Sequence, residues 1–307
     1  MQLNALRYFA MVAATGSFVA TARHFQVPPS SVSRFVSALE REVGQQLLYR
    51  NTRSVRLTET GERYYVQLRD VLDALDLATE QAAGKDAGVR GLVRINAPVA
   101  LGRLHIAEIV NQLQATYPEL TVELTLTDAF IDPVQEGVDI TVRLGALSDS
   151  ALIARKIGNQ NNVLCASPTY LKKHGKPSTP LDLERHSCLV YKGPSGPQRW
   201  FFRRSKEETP LVIRAEGMLR SNNAEVLVEA ALAGRGIVLF PTWIFERGSF
   251  KAKKLVKLLP EWTGTVDAVT AEINLVSPEN RLRSHKVRTV LDFVLNTIGD
   301  PPYWDAV

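Results

Sequence analysis

The chain has 307 residues, a formal net charge of +5 and 45% hydrophobic against 22% charged residues, which exceeds one ordinary core and argues against a disordered or fibrous protein. Two cysteines, Cys165 and Cys188, argue against a disulfide framework and fit a reducing compartment. No run approaches the ~18 apolar residues of a membrane span, and the first residues lack a basic segment ahead of a long apolar core; no membrane partner or signal peptide is expected, and the expected location is cytoplasmic.

The first sixty residues hold seven arginines (Arg7, Arg23, Arg34, Arg41, Arg50, Arg53, Arg56) against Glu40, Glu42 and Glu59. Arginine's planar fork suits phosphates and guanine edges. Leu3, Leu6, Phe9 and Val12 fall at helical spacing, and Gly16 ends that helix. Ser17 is a suitable N-cap for a short helix through Phe25, and Gln26 and Val27 turn the chain. Pro29 then opens a second helix, where a first-turn proline loses no hydrogen bond. Val32, Val36, Leu39 and Val43 form its apolar stripe, and Pro29, Ser30, Ser31, Ser33, Arg34, Ser37 and Arg41 occupy the rest. Short hydroxyl side chains let a helix enter a groove closely, and Arg34 can fork onto a guanine. Two short helices joined by a tight turn make a helix-turn-helix.

Leu47-Leu48-Tyr49, then Arg50 to Ser54, then Val55-Arg56-Leu57 read as a hairpin wing with arginines at start, tip and return. Thr58 caps a long helix to Ala83, roughly 39 Å at the usual rise. Along it Tyr64, Leu68, Val71, Leu75, Ala78 and Ala82 make a heptad seam that calls for a partner helix, most simply a second copy of the chain.

The run GSFVATARHFQVPPSSVSRFVSALEREVGQQLLYRNTRSVRLTETG, Gly16 to Gly61, resembles the winged helix-turn-helix of LysR-type transcriptional regulators. The resemblance implies double-stranded DNA as partner, with Pro29, Ser30, Ser33 and Arg34 toward the major groove and Arg53 toward the minor groove. Pro28 and Pro29 stand where many members carry glutamine or serine. It also implies a homodimer, typically a homotetramer, and a periplasmic-binding-protein-like effector domain whose chain crosses twice between lobes.

From Gly84 to Gly91 a polar hinge follows. Apolar strands then alternate with helices, among them LVRINAP, LGRLHIAEIVNQLQATY, LTVELTL, a short VQEG helix, DITVRL, ALIARKI, NVLCASP and a last helix from Arg281 to about Ile298. The pattern predicts parallel α/β sheets covered on both faces. The expected fold is α/β with an all-α-rich N-terminal winged helix-turn-helix and a C-terminal two-lobed domain. Its divisions are 1–60 for DNA, 61–90 for the dimerisation helix and hinge, and 91–307 for the effector, with lobe one at 91–161 and 268–307 and lobe two at 162–267.

A small-molecule effector is expected against strand ends and helix starts. The candidates are Val99, Ala100, Leu101, Thr127, Asp128, Arg143, Ser167, Ser221 and Asn222. Val99 and Leu101 stand where carboxylate-binding relatives tend to offer Ser or Thr, which leans toward a more apolar or bulkier effector. Trp200, Phe201 and Phe202 are core candidates, and Cys165 in an apolar strand is an inert thiol. Tyr303 and Trp304, beyond Pro301 and Pro302, are either frayed or packed on a neighbouring subunit. The five histidines have no metal-ligand spacing, and there is no HExxH, GxSxG, P-loop or dinucleotide fingerprint. No catalytic residue, metal or cofactor is expected, and the chain reads as a regulator rather than an enzyme.

Overall fold

The computed structural model describes residues 2–50, 55–83, 88–145, 152–193, 196–197, 199–205, 208–266 and 271–306. They fall into two compact units: Met1–Gly88 with Ile131–Val138 and Arg283–His285, and Val89–Phe130 with Asp139–Leu282 and Lys286–Val307.

In the first unit, α1 (Leu3–Thr15), α2 (Phe18–His24) and α3 (Pro29–Val43) close on Phe9, Val12, Ala22, Val32, Val36 and Leu39. Gly16, at φ 62°, ends α1 by donating its N–H to the Val12 carbonyl, and the Ser17 side chain starts α2 by accepting from Ala20. Each side-chain cap of this kind is worth about 1 kcal/mol. Gln26, at φ 53°, turns the chain into α3. Burial of Val32, Val36 and Leu39 contributes roughly 1.5–3 kcal/mol each and decides which face of α3 turns outward. Strands β1 (Leu48–Arg50) and β2 (Val55–Leu57) pair antiparallel with Leu48 opposite Leu57. Glu40 ties this hairpin to α3 by accepting the N–H groups of Leu47 and Leu48 at 3.0 and 3.1 Å. Thr58 accepts from Gly61 N–H at 2.9 Å and caps α4 (Glu59–Ala83). A side chain at Gly61 would run into the Leu47 carbonyl.

The second unit runs through β3 (Gly91–Ala97), α5 (Val99–Leu101), a π-helical turn (Gly102–Ile106), α6 (Ala107–Thr116), β4 (Leu120–Leu126), β5 (Ile140–Leu144) and β6 (Leu152–Asn159). It continues with β7 (Asn162–Ala166), α7 (Pro168–His174), β8 (Val190–Gly193), β9 (Gly196–Pro197), β10 (Trp200–Arg203), β11 (Leu211–Ile213), β12 (Arg220–Ser221) and α8 (Ala224–Leu232). The last elements are β13 (Val238–Pro241), a 3-10 turn (Thr242–Ile244), β14 (Val256–Lys257), β15 (Thr263–Thr265), β16 (Glu272–Pro278) and α9 (His285–Ile298). One five-stranded sheet has the order β4-β3-β5-β16-β6, and three-stranded sheets have the orders β13-β7-β14, β12-β8-β9 and β11-β10-β15.

Among the strands of the described residues, the expectation of parallel sheets holds for β4-β3-β5 and for β12-β8 only. β16 runs antiparallel to both β5 and β6, and β7 is antiparallel to both neighbours. Apolar strands signal burial on both faces, which either direction satisfies. The expected VQEG helix is a turn instead. Asp132 caps that turn by accepting the Val134 N–H on its carboxylate at 2.9 Å, the Glu136 N–H closes it on the Asp132 carbonyl, and Gly137, at φ 61°, ends it before a second turn forms. The last helix is preceded by a separate 3-10 turn over Arg281–Arg283.

Trp200 and Phe202 are core residues beside Leu183 and Ile213, as expected, but Phe201, between them on β10, is only half-buried because alternate strand residues face opposite sides. Tyr303 and Trp304 are neither frayed nor left for a neighbour. Trp304 is 3% exposed, and both rings pack at a tilt against His105 of their own chain, 5.5 Å away for Tyr303 and 4.7 Å for Trp304.

Candidate nucleic-acid interface and effector site

On α3 the two faces separate cleanly. Val32, Val36 and Leu39 are buried, Pro29, Ser30, Arg34 and Arg41 are exposed, and Ser31, Ser33 and Ser37 lie between. The Arg34 guanidinium lies 5.7 Å from the Phe35 ring, while Phe35 meets Tyr8 edge-on in the core. Pro29 at the first helical position and an extended Pro28 let the helix begin without a side-chain cap. The face therefore presents hydroxyls, one proline and two arginines on a rigid helix, the chemistry that contacts phosphates and base edges. Arg56, on β2, is exposed in the hairpin opposite Tyr49. Arg53 and the side chain of Arg50 lie outside the described residues.

The seam on α4 divides along its length. Leu68 is 5% exposed and packs with Tyr64 into the first unit's core, whereas Val71 and Leu75 are 60% and 38% exposed. The side chain of Ala82 lies outside the described residues. The half of the stripe nearest the helix start has a partner in its own chain, and Val71 and Leu75 remain uncovered.

In the second unit, Val99–Leu101, Thr127–Asp128 and Arg143 come together at the carboxyl ends of β3, β4 and β5. Asp128 accepts the Val99 N–H at 3.0 Å, so the start of α5 already holds a carboxylate of the protein itself. Arg143 lies over the Phe130 ring at 4.4 Å. Ser221 and Asn222 precede α8: the Ser221 hydroxyl accepts from Asn223 N–H, and Asn223 caps the helix. Ser167 is buried and its hydroxyl accepts from Tyr170 N–H, which makes it the cap of α7.

Two relationships here were not legible beforehand. Arg103, from the π-helical turn, forms an ion pair with Glu225 in the first turn of α8. Tyr191, from β8, lies near Asp128: burial first, then that charge, raises its phenol above the ordinary value. No spacing rule connects residues this far apart in sequence. A pocket of about 270 Å³ is lined by Lys176, Lys257, Trp262 and their neighbours and by none of the candidate effector residues. Among the described residues no cluster of His, Cys, Asp and Glu could hold a metal, and no helix is long and apolar enough to cross a membrane.

Comparison with known proteins covers both units. Residues 3–62 match the family of bacterial regulatory helix-turn-helix proteins of the lysR type, and residues 86–299 match the LysR substrate binding domain. An uncharacterised HTH-type transcriptional regulator of Haemophilus influenzae is 34% identical over 280 residues, spanning 91% of this chain and 95% of that one. The full-length Vibrio cholerae virulence activator AphB is 29% identical, with a TM-score of 0.59 over 96% of this chain and 99% of its own. CrgA, a LysR-type regulator from Neisseria meningitidis, is 27% identical, with a TM-score of 0.61 over 97% and 99%. With the small polar face on α3 and an α/β unit following it in sequence, these matches place the chain in the LysR family, as a DNA-binding transcriptional regulator with an effector-binding domain.

Proposed function

We propose that the protein acts as a homodimer, and as a tetramer of two dimers, that sets α3 of each subunit into the major groove of a two-fold site. The observation that carries this reading is the division of α3 between a buried valine–leucine stripe and an outward Ser30, Ser33, Arg34 and Ser37 face. Pro29 and Ser31 flank that face at the helix start, Arg50 follows the backbone, and Arg53 enters the minor groove. Val71 and Leu75 supply the dimer seam. The divisions are 1–60 for DNA, 61–90 for dimerisation and 91–307 for the effector. The last divides into lobes 91–161 with 268–307, and 162–267.

The effector is a small molecule held between the lobes by Val99, Ala100, Leu101, Thr127, Asp128, Arg143, Ser167, Ser221 and Asn222. It closes the lobes, and its differential affinity for the open and closed arrangements shifts the spacing and bend of bound DNA. The Asp128 carboxylate on Val99 N–H supports a neutral, apolar-bodied effector over a small acid, because an anion there would meet a like charge. The protein works in the cytoplasm, by binding and without catalysis.

Fluorescence anisotropy with the DNA upstream of its own gene and a scrambled control, at two salt concentrations, tests the reading. Tighter binding to the upstream segment, weakening steeply with salt, supports it. Absence of binding to either DNA at low salt sinks it.

A further inference from the structure

After α9 the chain turns back and bonds to three segments that are distant in sequence. Pro302 covers Gly158 near the end of β6, where a Cβ would come within 2.6 Å of the proline ring. The Tyr303 hydroxyl lies 2.7 Å from Nδ1 of His105, and Nε2 of the same ring lies 2.7 Å from the Trp243 carbonyl. A carbonyl only accepts, so Nε2–H donates to Trp243 and neutral His105 accepts from Tyr303. Asp305 completes the set by accepting from the Asn161 amide at 2.8 Å and from the Thr242 hydroxyl.

These partners belong to different parts of the α/β unit. His105 and Gly158 belong to the body built on the five-stranded sheet. Asn161 lies between β6 and β7, where the chain leaves that sheet for the β13-β7-β14 sheet. Thr242 and Trp243 follow β13, and the Thr242 N–H donates to the Asn161 carbonyl at 2.8 Å. Arg247, a few residues on, lies over the Tyr303 ring at 4.0 Å. The tail thus grips both sides of one crossing. Elsewhere the same two bodies meet through Arg103 and Glu225, whose side chains are 59% and 23% exposed, so that pair is screened and weakly held. Linked hydrogen bonds at the crossing, buried at His105–Trp243, partly buried at Tyr303 and Thr242 and exposed at Asn161, against one screened ion pair elsewhere are what a pivot and a releasable contact require.

We propose that residues 302–305 clamp the hinge between the two lobes and fix the angle about which the effector domain opens. The clamp gives the proposed lobe closure a fixed axis, and in that sense it rests on the two-lobe reading, but its test needs neither DNA nor effector.

Spin labels are placed on the full-length protein through Asn296→Cys on α9 and Lys172→Cys on α7. Both positions are exposed, and the native Cys165 and Cys188 are buried and stay unlabelled. Labelled subunits are diluted into excess unlabelled protein, so that pulsed electron resonance reads the distance within one chain. Tyr303→Phe keeps the ring and removes one oxygen, and Tyr303→Phe with Asp305→Ala also removes the carboxylate. The expected result is a broadened or displaced distance distribution in both variants, larger in the double, with unchanged circular dichroism. A folded double variant with the parental distribution overturns the clamp; if the double variant unfolds, Tyr303→Phe alone decides by the same criterion. A chain that fails to bind DNA while showing the expected distances loses the regulatory reading and keeps the clamp.

Discussion

Arg69 occupies the space that Gly137 leaves by having no side chain. The guanidinium donates to the carbonyls of Gln135, at 2.9 Å, and Glu136, and lies 5.1 Å from the Tyr65 ring. Arg69 is 6% exposed, and a Cβ on Gly137 would overlap its guanidinium. Gly137 also has φ 61°, a region disfavoured for other residues. Gly137→Ala therefore adds backbone strain and expels a buried charge from its acceptors, at a cost of about 2–4 kcal/mol. Denaturant melts should show this loss, and the double variant with Arg69→Ala should lose less than the two singles combined. A Gly137→Ala protein as stable as the parent would show that the guanidinium is not held there.

On α4, Leu68 is already paid for by its own core while Val71 and Leu75 are not. Val71→Glu with Leu75→Glu should leave the first unit folded and convert the assembly to smaller species in sedimentation velocity. Affinity for a two-fold site should fall about tenfold or more, roughly 1.4 kcal/mol, because two half-sites are no longer presented together. Unchanged sedimentation would mean that this stripe is not the seam.

The buried thiols lead to a third expectation. Burial pushes Cys165 far up and Cys188 up to about 12. At pH 8 the Cys188 thiolate is then on the order of one part in ten thousand, and the thiolate is the reactive form. A chromogenic disulfide reagent should find no thiol in the native protein and two after unfolding. Rapid labelling of the folded chain would show that these thiols are accessible and reactive after all.

His105 gives the stability a direction with pH. Burial first, with Arg247 also contributing, holds its pKa below the ordinary 6.5, against the opposing bond to Trp243. The unfolded chain then binds more protons than the folded one between the lowered value and about 6.5. Stability is fully present above that window and is lost as pH falls through it. His186 is lowered too, chiefly by burial, so His105→Gln should reduce the fall in melting temperature between pH 7 and pH 5 without abolishing it. An unchanged slope in His105→Gln would assign the effect elsewhere.

The parts of this fold that were legible are those fixed by near neighbours in sequence. Gly16 and Ser17 mark helix ends through bonds spanning a few residues, and the Val32, Val36 and Leu39 stripe lies on one helix. The antiparallel course of β16 was not legible, because an apolar strand looks alike in either direction. The same holds at the candidate effector site. Asp128 could be named from its place after a strand, but its bond to Val99 N–H depends on β3 and β4 lying side by side. His105 and Tyr303 gave no sign of each other, since their bond exists only once α9 has packed and the tail has turned back.

The nucleic-acid interface allows charge to be separated from shape at one position. Arg34 is exposed on α3, and its fork can take both acceptors of a guanine, which a lysine ammonium matches poorly. Arg34→Lys keeps the positive charge, so binding to scrambled DNA and the salt slope should stay as in the parent. The preference for the specific site should fall by about 1–3 kcal/mol. Arg34→Ala should lose the same preference and also weaken scrambled DNA, since the charge is gone. Titrations of all three proteins against both DNAs at two salt concentrations separate these effects. If Arg34→Lys retains the full preference, Arg34 holds a phosphate, and base choice passes to the serines and Pro29 beside it.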